Sequence, residues 1–144
     1  MTSNAFSITE ENLPDSPELA SRLEELAEQA ERVDGMAPLS EQFLNGLTDS
    51  RLQHRHLVAW VDKKPCGVAG LDGSTAELFI APDFRGQGYG ALLYDAAAET
   101  PNLQAWAHGN LPAAQALAHS RGLQVTRKPV SYTHLRAHET DSYL

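Results

Sequence analysis

The stretch ELFIAPDFRGQGYGALL, residues 77–93, decides the fold. Leu78, Phe79 and Ile80 read as a strand, and Pro82 ends it because a proline cannot donate to a ladder. A helix is expected from about Gly88 to Glu99. Between the two lies Arg85-Gly86-Gln87-Gly88-Tyr89-Gly90. Glycines let a backbone turn tightly and approach a ligand without a Cβ in the way. The amides of such a loop and of the first helical turn converge on one spot, where the helix dipole also favours negative charge. A phosphate or pyrophosphate is the natural occupant. On spacing alone, a tight turn with no ligand fits as well. A nicotinamide fingerprint fits poorly: the GxGxxG order is absent, and no acid closes a second strand about 20 residues on.

Working outward, HLVAWV (56–61), CGVAGL (66–71) and AELFIA (76–81) read as three strands joined by the turns DKKP and Asp72-Gly73-Ser74. LQAWA (103–107) follows the helix and reads as a strand parallel to the one ending near Ile80, since a helical crossover between neighbouring strands requires it. On the amino-terminal side, AFSIT (5–9) reads as a short strand. Ser16, Pro17 and Glu18 mark a helix start: a hydroxyl cap, a proline in the first turn and an acid near the positive end of the dipole. Leu19, Leu23, Leu26, Ala27, Ala30 and Val33 recur at helical spacing, and Gly35 can stop the helix. Leu39, Phe43, Leu44 and Leu47 suggest a shorter helix. Asn110 and Pro112 open another through Ala118, and LQVTRK (123–128) starts a further strand.

A chain of 144 residues with 42% apolar residues is enough for one core and argues against wholesale disorder. The net charge of −8 sits in the first 50 residues, where eleven acids face only Arg22 and Arg32. That balance excludes a phosphate-backbone binder, so no nucleic-acid partner is expected. The acidic half reads as a solvated helix face, or more sharply as a field that attracts a cationic amine. No apolar run reaches the roughly 18 residues of a membrane span, and no secretory signal opens the chain. Cys66 is the only cysteine, so no internal disulfide forms. By default these features point to the cytoplasm, with no membrane partner and no metal.

The string LFIAPDFRGQGYGALLYDAA resembles the central motif of the GNAT acetyltransferases: an apolar strand, a proline, Arg-x-x-Gly-x-Gly at Arg85, Gly88 and Gly90, then a helix. The resemblance implies an α+β fold, a mixed and mostly antiparallel sheet flanked by helices, whose two parallel strands splay apart to admit pantetheine. It implies acetyl-coenzyme A as co-substrate, with the pyrophosphate on the amides of Arg85, Gly86, Gln87, Gly88, Tyr89, Gly90 and Ala91. Main-chain groups of Leu78, Phe79 and Ile80 would face the acetyl carbonyl and the pantetheine arm, where an amide stabilises the charge that develops in acyl transfer. VDGMAPLSEQFLNGL (33–47) and AWAHGNLPAAQALAHSRGL (105–123) further resemble the N-terminal half of the mycothiol synthase subfamily, which acetylates a cysteinyl amine. That implies a small-molecule amine substrate, a substrate contact at Glu41 and a second GNAT domain in a longer chain. From the residues alone, Glu41 is as readily a dipole partner for its helix.

The domain is expected to span residues 1–129 and to be incomplete after its last helix. VSYTHLRAHETDSYL (130–144) resembles translated sequencing-adapter DNA and reads as an artefactual tail, so Tyr132, His134, His138 and Glu139 are expected to carry no function. His54 and His56 read as exposed loop histidines. His108 would lie where the splay opens. Trp60 and Trp106 read as core residues, and Cys66 as a hairpin residue rather than a nucleophile. No residue is assigned as general acid or base, so binding without turnover is expected of this chain.

Overall fold

A computed structural model describes residues 5–108, 123–127 and 132–137, with side chains described as far as Trp106. The described strands are β1 (Phe6–Glu10), β2 (Arg55–Val61), β3 (Lys64–Asp72), β4 (Thr75–Ile80), β5 (Gln104–His108), β6 (Leu123–Arg127) and β7 (Tyr132–Ala137). They form one sheet in the order β1-β2-β3-β4-β5-β7-β6. Every pairing is antiparallel except β4 with β5. This is the expected mixed sheet, with the parallel pair where the crossover helix requires it.

Helix α1 (Pro17–Asp34) and helix α2 (Glu41–Gly46) cover one face, and helix α3 (Tyr89–Ala97) covers the other. The register shows how the sequence builds two cores from one sheet. Val58, Val68 and Phe79 lie side by side across β2, β3 and β4 and pack against Leu23, Leu26 and Ala30 of α1 and Phe43 of α2. One step along, Leu57, Ala69 and Leu78 point the other way, towards Leu93, Tyr94 and Ala97 of α3. Both faces are buried, so the strands read as near-continuous apolar runs rather than alternating ones.

The turns follow their residues with two exceptions. Gly35 ends α1 in the left-handed conformation at φ 77°, and its N–H donates to the Glu31 carbonyl at 2.8 Å. Ser16 precedes α1, but its side chain makes no capping bond; Pro17, which lacks an N–H, reduces the need for one. The β2–β3 turn puts non-glycine residues, Asp62 and Lys63, at φ 52° and 70°. Asp62 is held there: its N–H donates to the Ala5 carbonyl at 2.9 Å, and its carboxylate accepts from the Ala5 N–H at 3.0 Å. The helix expected from Asn110 lies outside the described residues, as do His138 and Glu139.

The two histidines expected to be exposed have buried side chains, His54 on the loop before β2 and His56 within β2. His56 is 0% exposed and the His54 side chain 1% exposed. None of their four ring nitrogens has a hydrogen-bond partner. The rings stand 6.3 Å apart, and His54 lies 4.9 Å from the Phe43 ring. Two glycines make the room: His56, the second residue of β2, lies opposite Gly70 with Phe43 of α2 packed above it, and the His54 ring lies where a Cβ on Gly46 would be. Burial first, then the neighbouring His54, pushes the His56 pKa from 6.5 down to about 4.

Residues Tyr132–Ala137 take a place in the sheet where sequence reading expects no strand. Ladders use main-chain groups that any non-proline residue supplies, and YTHLRA contains neither proline nor glycine. β7 pairs with β5 on one side and with the edge strand β6 on the other.

Two predictions follow from this core. Deleting residues 130–144 removes β7, the partner of β6 and one of the two partners of β5, and the melting temperature should fall by roughly 4 °C or more, the shift that about 1 kcal/mol produces in a small domain. An unchanged melting temperature would show that the segment contributes no native pairing. On the acid side, the unfolded chain protonates His56 near pH 6.5, whereas the folded chain resists until about pH 4. The stability present above 6.5 is therefore lost as pH falls through that window, by roughly 3 kcal/mol. Chemical denaturation at stepped pH should show the slope in the parent and a flatter one in His56→Leu.

Candidate functional site

β4 and β5 run together only as far as Glu77 and Trp106; Leu78, Phe79 and Ile80 continue beyond the last paired residue. The two strands thus part as a V. The N–H of Gln104 donates to the Ser74 carbonyl at 2.8 Å, so the main-chain groups of even-numbered β4 residues face β5. The N–H of Ala81 donates to the Cys66 carbonyl at 2.7 Å, so those of odd-numbered residues face β3. Of the three residues expected to offer main-chain groups, Leu78 and Ile80 therefore face the V, whereas the groups of Phe79 belong to the ladder with Val68.

At the mouth of the V the chain makes a 3-10 turn over Pro82–Phe84 and enters the glycine loop. Gly86 and Gly88 stand at φ 79° and 83°, the left-handed region that L side chains rarely adopt, and a Cβ at either would meet no atom within 4 Å. Gly90 has ordinary φ and lies against Ile80. Gly88 is the N-cap of α3 and brings no side chain to it. The first helical bond runs from the Leu92 N–H to the Gly88 carbonyl at 3.3 Å. The amides of Tyr89, Gly90 and Ala91 precede it and have no helical acceptor. They lie beside the exposed loop Gly86–Gln87–Gly88 at the positive end of a helix. Tyr89 is held by its ring, stacked on Phe6 of β1 at 4.4 Å and 5°.

Arg85 does something else. Its amide donates to the Pro82 carbonyl at 3.3 Å within the turn. Its Nε donates to the Ile80 carbonyl at 3.1 Å, and its Nη1 and Nη2 donate to the two carboxylate oxygens of Asp34 at 2.8 Å each. Of the amides expected to face a phosphate, that of Arg85 is thus engaged within the turn.

On the other face, Glu77 is 6% exposed at the last paired position of β4, and its Oε1 accepts the Ser40 N–H at 2.7 Å. That bond fixes the start of α2 beside the V. Glu41, the next residue, is exposed at that start. His108 closes β5; its side chain lies outside the described residues. The thiol of Cys66 is buried in β3, and burial pushes its pKa up to about 11, so it is no nucleophile.

Sequence reading missed Asp34 and Glu77. Each carried a signal: Asp34 is an acid at the carboxyl end of a helix, the wrong end for the dipole, and Glu77 is a lone carboxylate in a buried strand.

Comparison with known proteins agrees with this geometry. The family model for the acetyltransferase (GNAT) domain matches residues 53–123. A mycothiol acetyltransferase of Corynebacterium aurimucosum is 54% identical over 123 residues, covering 85% of this chain and 40% of that protein. The chain thus spans about two fifths of the length of that curated relative. Among solved structures, a tandem GNAT protein from the clavulanic acid biosynthesis pathway superposes with a TM-score of 0.64 at 18% identity, over 85% of this chain and 45% of the other. A putative acetyltransferase from Salmonella typhimurium, solved with its cofactor acetyl-CoA, superposes with a TM-score of 0.59 at 19% identity, over 96% and 98%. At those identities the two structures speak to the fold alone. The glycine loop between β4 and α3, the parted parallel strands and the matching sequence model agree: the chain belongs to the GNAT acetyltransferase family.

Proposed function

We propose that this chain binds acetyl-coenzyme A along the V between β4 and β5, and that it is one domain of an acetyltransferase acting on a primary amine. The observation that carries the reading is the set of unpaired amides at the start of α3, reached through a left-handed Gly88, beside strands that have already parted. The pyrophosphate would lie on the amides of Gly86 to Ala91. Pantetheine would run along β4, bonding the Leu78 carbonyl and the Ile80 amide in place of the missing β5 partner. An amide there can donate to the thioester oxygen as it gains charge, while the amine nitrogen bonds to the acetyl carbon and the C–S bond breaks. The ammonium must lose a proton before attack, and the thiolate must gain one on leaving.

The acceptor would enter from the α1–α2 side, where Glu41 stands at the start of α2 as a contact for an ammonium or hydroxyl group. The relatives are named mycothiol acetyltransferases, which supports the acceptor that the sequence resemblance implies, the cysteinyl amine of a cysteinyl glucosaminyl-inositol. Their greater length favours a second GNAT domain in the full protein.

One observation favours a second reading, in which this domain binds the coenzyme without turnover. Glu77 is a buried carboxylate beside the V, and its Oε1 accepts the Ser40 N–H at 2.7 Å, which gives it a structural role at the start of α2.

Calorimetric titration with coenzyme A tests the site. Gly88→Val forces a β-branched residue to φ 83° and puts a side chain beside the loop amides, so affinity should drop about tenfold or more in a folded sample. Unchanged affinity would remove the site. The 144-residue chain should bind acetyl-coenzyme A yet acetylate no cysteinyl amine at a useful rate. Substantial acetylation would overturn the second reading and point to a base at Glu77 or at a residue outside the described ones.

A further inference from the structure

The Asp34–Arg85 pair is the most completely built polar contact in the structure, and binding of a coenzyme does not by itself require it. The Asp34 side chain is 4% exposed and that of Arg85 21%. Both carboxylate oxygens take guanidinium donors at 2.8 Å, the two-pronged geometry in which such pairs are strongest. The same guanidinium also holds the Ile80 carbonyl at 3.1 Å. One side chain thus joins three elements: the end of α1, the end of β4 and the loop that leads into α3. A second, weaker tie runs alongside, from Gln29 Nε2 to the Asp83 carboxylate at 3.4 Å. Asp34 gains nothing from its own helix, since an acid at the carboxyl end opposes the dipole. Its place there makes sense only through Arg85.

We infer that Asp34 is a positioning residue for coenzyme binding: it holds Arg85 so that the turn after β4 presents the loop amides to the pyrophosphate. The guanidinium is directed at α1, and the anion is left to the neutral amides of residues 86–91. The pair also makes α1, on the acceptor face, part of the same rigid unit as the coenzyme loop. Occupying the Ile80 carbonyl has a further effect: it leaves the Ile80 amide as the end-of-strand group available to the thioester arm. The inference rests on the reading that the loop holds the pyrophosphate.

The test compares coenzyme A with pantetheine, which lacks the pyrophosphate, as calorimetric ligands for the parent chain, Asp34→Asn, Arg85→Gln and the double variant, each checked for folding by its melting curve. Asp34→Asn and Arg85→Gln should each weaken coenzyme A about tenfold, the ratio expected for losing a charge-assisted bond, and the double variant should be no worse than either single one. Pantetheine should bind all four alike, and Asp34→Glu should recover part of the coenzyme A affinity. Parent-like coenzyme A affinity in Asp34→Asn overturns the inference. So does an equal loss for both ligands, which would mark the pair as structural only. If the parent itself fails to prefer coenzyme A over pantetheine, the pyrophosphate reading falls, and the positioning role falls with it.

Discussion

The constraint on which the rest depends is the early end of the ladder between β4 and β5. Two parallel strands joined by a helix are held only by their slanted main-chain bonds, and here those bonds stop at Glu77 and Trp106. From that point the inner edge of β4 has main-chain groups with no strand to meet them. A few residues on, the start of α3 leaves amides in the same state. Groups of this kind need water or a ligand, since leaving one unmet out of water costs about 1–3 kcal/mol. The two sets lie at opposite ends of one short connection, residues 81–88, so a long ligand with an acyl arm and a phosphate can satisfy both.

Everything around the connection serves to keep it in place. On one face, α3 is fixed by Leu93, Tyr94 and Ala97 against β2, β3 and β4, and its first residue is fixed by the Phe6–Tyr89 stack. On the other, α1 grips the turn through Arg85, and α2 is fastened to β4 by the Ser40–Glu77 bond. The helices that would meet an acceptor and the loop that would hold a coenzyme are thereby referenced to the same strand. Buried His56 runs against this pattern: its ring has no hydrogen-bond partner and burial lowers its pKa to about 4, so acid weakens the sheet beneath α2.

Much of this was legible in the chain itself. The apolar runs and turn residues gave strands β1 to β5 and the hairpin of β2 with β3, and the crossover helix gave the parallel direction of β5, because each is a local consequence of side-chain type. The glycine loop was legible because only glycine enters the left-handed region without strain, and two glycines stand there. What escaped were side-chain partners distant in sequence. Asp34 lies 51 residues from Arg85, and Ser40 lies 37 from Glu77, so neither pairing leaves a local pattern. The histidines were misplaced for a related reason: His56 is buried beside Gly70 and Phe43, and His54 against Gly46, and these partners belong to other elements. The direction of each main-chain group in β4, which separates Phe79 from its neighbours, needed the register with β3 and β5.

The central claim is that the parted strands and the glycine loop form one binding surface for coenzyme A. The most direct measurement is a heteronuclear NMR titration that follows backbone amides as coenzyme A is added. The account requires saturable shifts at the amides of Gly86 to Ala91 and at Ile80, with Phe79, whose amide faces β3, moving least among the β4 residues beyond Glu77. Shifts confined to other surfaces, or an unresponsive loop at saturating ligand, would contradict it.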